Sequence, residues 1–111
     1  MLFRVTGLPD EPLAAAGHFH SRILPDVLAR FGPPHPEHGI VLAFPQADHT
    51  HRAWRLAVIQ GLAREHAPSR VNAVAGGTEA AIAATLEWLA RAPGVTGQYW
   101  SLDAGRAGRV W

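Results

Sequence analysis

Apolar residues fall four apart at Phe19, Ile23, Val27 and Phe31, with Leu24 and Leu28 beside them, and this spacing predicts a helix over 13–31. Pro25 lies inside that pattern. It has no N–H to give, so it kinks the helix or starts it anew. A loop over 32–39 follows, where three prolines and two glycines exclude regular structure. Residues 39–44 then form a continuous apolar run ended by Pro45, the profile of a strand buried on both faces.

A second helix is predicted from Thr50 to His66, with Trp54, Ala57, Val58, Gly61, Leu62 and Glu65 at the helical period and Pro68 as its stop. Residues 70–75 read as another strand and Gly76-Gly77 as a turn. Thr78 is placed to cap a third helix through Ala92, which carries Ile82, Leu86 and Leu89 on one face and ends at Pro93-Gly94. Residues 98–102 form a closing strand before a glycine-rich tail to Trp111, and residues 2–5 offer one more strand at the front. Helices alternating with strands predict an α/β fold, a parallel sheet of three or four strands with crossover helices.

Composition narrows the chemistry. The 111 residues make one domain, and 48% hydrophobic content is enough to bury a core. Cysteine is absent, which removes disulfides, thiolate metal sites and cysteine nucleophiles, and fits a reducing cytosol. No apolar run approaches the ~20 residues of a membrane helix. The opening Met1-Leu2-Phe3-Arg4-Val5 is too short and too charged for a signal peptide, so a cytoplasmic location is expected. A net charge of +1 gives no drive toward nucleic acid or a membrane surface. All ten basic residues are arginine, which excludes Schiff-base chemistry and any mechanism built on a lysine.

Three segments in order carry a resemblance. They are Gly17-His18-Phe19 through Arg22-Ile23-Leu24-Pro25; then 61–68 followed by Arg70-Val71-Asn72-Ala73-Val74-Ala75-Gly76; then Val95-Thr96-Gly97-Gln98 with Leu102-Asp103-Ala104-Gly105. Together they resemble the C-terminal half of the short-chain dehydrogenase/reductase family over about residues 14–105. The resemblance implies a reduced Rossmann-like sheet. It also implies where that family's chemistry should sit: Asp48 at the tyrosine position, Arg52 at the lysine position, Pro45 at the serine and Ala14 at the supporting asparagine. None of the four is the residue that chemistry uses. No G-x-G-x-x-G cluster is present to hold a dinucleotide, so no cofactor is expected. An aspartate beside an arginine favours its ionised form, so Asp48 suits a base and not a proton donor at neutral pH.

Other constellations compete with this reading. The seven histidines include His18-x-His20, His35-x-x-His38 and His49-x-His51, but these spacings do not converge three ligands, and solvated side chains are expected rather than a metal site. Gly76-Gly77-Thr78 is the one weak candidate for anion or cofactor binding, with a plain capped turn as its simpler reading. Asp48, His49, His51 and Arg52 read as a solvated helix start before they read as an acid/base cluster.

The expected function is therefore that of a degenerate, truncated reductase half, an interaction or stabilising subunit and not a reductase on its own. Its partner is a second copy or a full-length relative, held through helices 13–31 and 50–66 with Phe19, Ile23, Trp54 and Val58 at the contact. Two alternatives stand beside it. One is a small isomerase, lyase or cyclase using Asp48 with a nearby histidine. The other is an NAD(P)-linked role restored only when a partner chain completes the site.

Overall fold

A computed structural model describes residues 1–102, leaving the Asp103-Ala104-Gly105 turn and the tail to Trp111 outside the described residues. Four parallel strands, β1 (Leu2–Arg4), β2 (Gly39–Phe44), β3 (Arg70–Ala75) and β4 (Tyr99–Ser101), form one sheet in the order β1-β2-β3-β4. The two long strands lie in the middle, paired from Gly39↔Arg70 to Phe44↔Ala75. Both are buried on both faces, β2 as its unbroken apolar run predicts and β3 with the polar Asn72 enclosed among apolar neighbours. The short outer strands pair at Leu2↔Val41 and Ala73↔Tyr99. Around β4 the ladder continues beyond the strand, from Gly97 N–H to Val71 and from Leu102 N–H to Ala75, each at 2.7 Å.

The period of two along the strands sorts the core into two layers. Ile40, Leu42, Phe44, Val71, Ala73 and Ala75 face one side, under Phe19, Val27, Val58, Ile59 and Leu62. Val41, Ala43 and Val74 face the other, under Ile82 and Leu89. The first layer is covered by the segment between β1 and β2 and by α3 (Arg52–Glu65), the second by α4 (Glu79–Ala90). Sheet order equals chain order, so all the crossovers step the same way across the sheet. The change of face between α3 and α4 therefore gives the last crossover the opposite hand to the two before it. One hand is strongly disfavoured in parallel sheets, so the fold departs from that preference in at least one unit.

The expected helix over 13–31 is divided. It consists of α1 (Pro12–His18), a π-helical stretch (Phe19–Ile23) and α2 (Leu24–Leu28). Within the π stretch the backbone N–H of Leu24 reaches back five residues to the carbonyl of Phe19. The wider turn comes just before Pro25, whose missing N–H would have broken a regular α-helical ladder there. The chain passes through this proline with a widened turn instead of a break. The helix then stops short of Phe31, which stacks on His66 with ring centroids 3.8 Å apart.

The interface assignment needs correction at two residues. Phe19 is fully buried, between Phe44 at 5.7 Å and Trp54 at 5.6 Å, and Val58 is only 8% exposed. Both fill the chain's own core, where truncating an aromatic such as Phe19 to alanine costs about 3–5 kcal/mol. Ile23 and Trp54 are half-buried against the same cluster. The exposed apolar residues of this layer are Leu13 at 79% and Leu28 at 42%. Among the described residues no helix is long and apolar enough to cross a membrane.

Candidate functional site

In an open parallel sheet, ligand sites form beyond the carboxyl ends of the strands. Here that edge is built by the loop after β2, the turn after β3 and the first turns of α3, with Tyr99 of β4 below. Pro45, Asp48, Arg52, Gly76, Gly77 and Thr78 all lie there. Ala14 lies apart, exposed on α1.

Asp48 is the N-cap of a 3-10 turn (His49–His51) that leads into α3. Its carboxylate accepts from the Thr50 backbone N–H at 2.9 Å and from the Thr50 hydroxyl. The hydroxyl bond first, then the backbone bond, holds the carboxyl below its ordinary pKa. The group is an ionised cap, spent on starting a helix. Next to it, His51 is buried. Trp54 donates its indole N–H to Nδ1 of His51 at 3.2 Å, and the other ring nitrogen, Nε2, meets the Asp10 carbonyl at 2.8 Å. This corrects the expectation that the histidines are all solvated. With both ring nitrogens engaged, His51 ties the loop before α1 to the start of α3 and has no free nitrogen to offer Asp48.

The most buried charge at this edge is one the sequence pattern did not single out. Arg55 is 1% exposed. Its Nη1 donates to the Pro45 carbonyl at 2.8 Å and to the Tyr99 hydroxyl at 3.3 Å. The guanidinium lies over the Phe44 ring at 4.7 Å and near Trp54 at 5.6 Å, while its Nε–H is buried without an acceptor. Arg52, exposed, covers the other side of Tyr99 at 5.7 Å from the ring centre. The only signal in the sequence was an arginine one turn past Arg52, on the flank of Trp54, and helical arginines are usually solvated.

The glycine turn offers no cradle for a dinucleotide of the kind the resemblance implies. Gly76 and Gly77 both have positive φ, +68° and +85°. A Cβ on Gly77 would stand 2.6 Å from Leu102 Cβ, and one on Gly76 would stand 3.0 Å from Gln46 Cβ. The space a phosphate would need is thus filled by the chain's own neighbouring loops. The Gly76 N–H is donated to the Phe44 carbonyl at 3.0 Å, and the Thr78 hydroxyl accepts from Ala81 N–H at 3.0 Å as the cap of α4. These residues do not fit a dinucleotide phosphate.

Among the described residues no three His, Asp or Glu side chains converge as metal ligands. Two cavities, of about 260 and 420 Å³, both include Met1, Glu37, Gly39 and Ile40 in their walls. They lie at the amino ends of the strands, opposite the edge just described.

The residues that bring β4 alongside β3 belong to the segments that carried the resemblance. Buried Asn72 donates from Nδ2 to the Val95 carbonyl and accepts from Gln98 N–H, each at 3.1 Å. The Thr96 hydroxyl accepts from Val71 N–H at 3.0 Å. No curated protein and no solved structure matches the chain. A family model described as "Short chain dehydrogenase-like protein" matches residues 3–102, all of the sheet but its first residue, Leu2, together with the crossovers. The chain therefore belongs to the short chain dehydrogenase-like family.

Proposed function

We propose that this chain is a non-catalytic member of its family, an interaction or stabilising subunit whose partner is a second copy or a full-length reductase-like chain. The observation that carries this reading is the state of Asp48. At the position the resemblance gives to the catalytic tyrosine stands an ionised carboxylate that caps a helix through Oδ1, which accepts both bonds from Thr50. It is no proton donor at neutral pH. Pro45, at the serine position, contributes a carbonyl to Arg55. In the alternative, acid/base chemistry by Asp48 with a histidine, His51 is already bonded through both ring nitrogens, which leaves His49 as the partner. With Phe19 and Val58 inside the core, the contact surface in this reading moves to outward residues of the same helices, Leu13 and Leu28 first.

Purification of the tagged chain from its native source, with mass spectrometry of what accompanies it, tests the proposal. A stoichiometric reductase-like chain, or a homo-oligomer disrupted by Leu13→Asp, is the expected result. A monomer that turns over a substrate and loses that activity in Asp48→Asn overturns it.

A further inference from the structure

Arg52, Tyr99 and Arg55 form a cluster of donors with no negative charge paired to them among the described residues. Among the described residues the one ion pair is Arg4 with Glu79, so neither arginine has an acidic partner there. Arginine stays protonated at any pH a protein experiences, so this charge cannot be relieved by losing a proton. Arg55 spends one nitrogen on the Pro45 carbonyl and the Tyr99 oxygen, and holds Nε–H toward no acceptor. The aromatic faces of Phe44 and Trp54 offset part of the cost of burying it. They do not replace a counter-ion. Tyr99 accepts from Arg55 and, among the described hydrogen bonds, gives its own proton to nothing. On the solvent side, Arg52 stacks over the same ring.

We infer that the Arg52–Tyr99–Arg55 cluster is a binding site for a small oxyanion, the carboxylate or phosphate group of a metabolite-sized molecule. The three side chains supply two guanidinium groups and one hydroxyl proton around a single phenol, and the cluster contains no carboxylate to repel an anion. Adjacent guanidinium N–H groups match the oxygens of a carboxylate or phosphate, and hydrogen bonds to ionised acceptors are the strong ones. Arg55 is the fixed, buried floor of the site. Arg52, exposed over the Tyr99 ring, is its outer wall. The site lies at the carboxyl edge of the sheet and shares one position, Arg52, with those that the family resemblance assigns to its chemistry, while Tyr99 and Arg55 stand outside them. It does not rest on the chain being non-catalytic.

Thermal unfolding of the full chain with sodium phosphate or sodium malonate, each against sodium chloride at equal ionic strength, tests this. An anion that binds only the folded chain should raise the midpoint by at least about 4 °C when present well above its dissociation constant. The rise should be lost in Arg52→Gln and Tyr99→Phe, both outside the buried floor and expected to fold. Arg55→Met should also fold, since an apolar side chain of similar volume often matches or exceeds a buried charge in stability, and it should not respond to either anion. No rise in the wild-type chain, or an equal rise in the three variants, overturns the site. A rise that appears only in Asp103→Asn also overturns it, because the chain's own carboxylate would then be the occupant.

Discussion

Trp54 and His51 are three residues apart, and the indole N–H of one is donated to Nδ1 of the other at 3.2 Å. That bond assigns the His51 proton to Nε2, where it is donated to the Asp10 carbonyl at 2.8 Å. One side chain thereby joins the loop before α1 to the start of α3. His51→Ala removes a buried side chain together with both of its hydrogen bonds, and should lower unfolding stability by about 1–3 kcal/mol. Trp54→Phe removes one bond and part of the packing, so the two changes together should cost less than the sum of each alone. Urea titration of the two single variants and the double variant measures this.

Asp48 and Glu11 are both helix caps whose carboxyls sit below their ordinary values of 3.8 and 4.5, Asp48 mainly through the Thr50 hydroxyl and Glu11 mainly through the backbone N–H of Leu13. A depressed folded-state pKa binds fewer protons than the unfolded chain, so stability is full above the ordinary value and falls as pH drops through the depressed one. The chain should therefore lose stability on acidification below about pH 4.5, where the first of these ordinary values lies. Asparagine still caps a helix, so Asp48→Asn should flatten part of this slope with little loss at neutral pH, whereas Asp48→Ala should lose stability at both. Unfolding midpoints between pH 3 and 7 distinguish the two.

Two glycines should answer alanine in opposite directions. Gly77 has φ +85°, and an added Cβ would stand 2.6 Å from Leu102 Cβ and 2.7 Å from its carbonyl oxygen. Gly77→Ala should cost about 1–3 kcal/mol and loosen β4 from β3. Gly61, inside α3, has nothing within 4 Å of such an atom. Gly61→Ala should stabilise the chain by about 0.4–1 kcal/mol by reducing the freedom of the unfolded state. Chemical denaturation of both variants provides the comparison.

Asn72 uses both ends of its amide on the segment that leads into β4. Asn72→Leu keeps the branched shape, adds bulk and strands the Gln98 N–H and the Val95 carbonyl, so a loss of about 1–3 kcal/mol is expected. The loss should be local. Amide exchange at Gly97 and Leu102, whose N–H groups pair with β3, should speed up more than exchange between β2 and β3.

The strand over 39–44 was legible because a doubly buried strand is a short unbroken apolar run, and the one over 70–75 because a β-branched, apolar stretch stands between Pro68 and the Gly76-Gly77 turn. The start of α3 at Asp48 was legible in outline, since an acidic residue ahead of a helical period is what a cap requires. Phe19 and Val58 were misplaced because helical spacing shows that a residue is apolar on one face, not whether that face meets its own core or another chain. The π stretch before Pro25 was invisible, as one extra residue in a turn leaves the amphipathic pattern nearly unchanged. Arg55 was missed for a related reason. Its burial is decided by Phe44 and Tyr99, which are 11 and 44 positions away along the chain, and no local signal marks a charge that the tertiary fold will enclose.

The strands lie side by side in the order in which they are joined. Each strand after the first therefore finds its neighbour already made when it leaves the ribosome. β1 and β2 can pair under α1 and α2 before α3 exists, and β3 then extends an edge that is waiting for it. No strand has to be inserted between two others. A chain of this kind can fold in the direction of its synthesis, exposing at each stage one growing edge and not a gap in the middle of a sheet. The last unit added, α4 with β4, is also the one that covers the second face. Until it arrives Val41, Ala43 and Val74 stay open to water, which makes the moment of its docking the point at which a nascent chain is most exposed to aggregation.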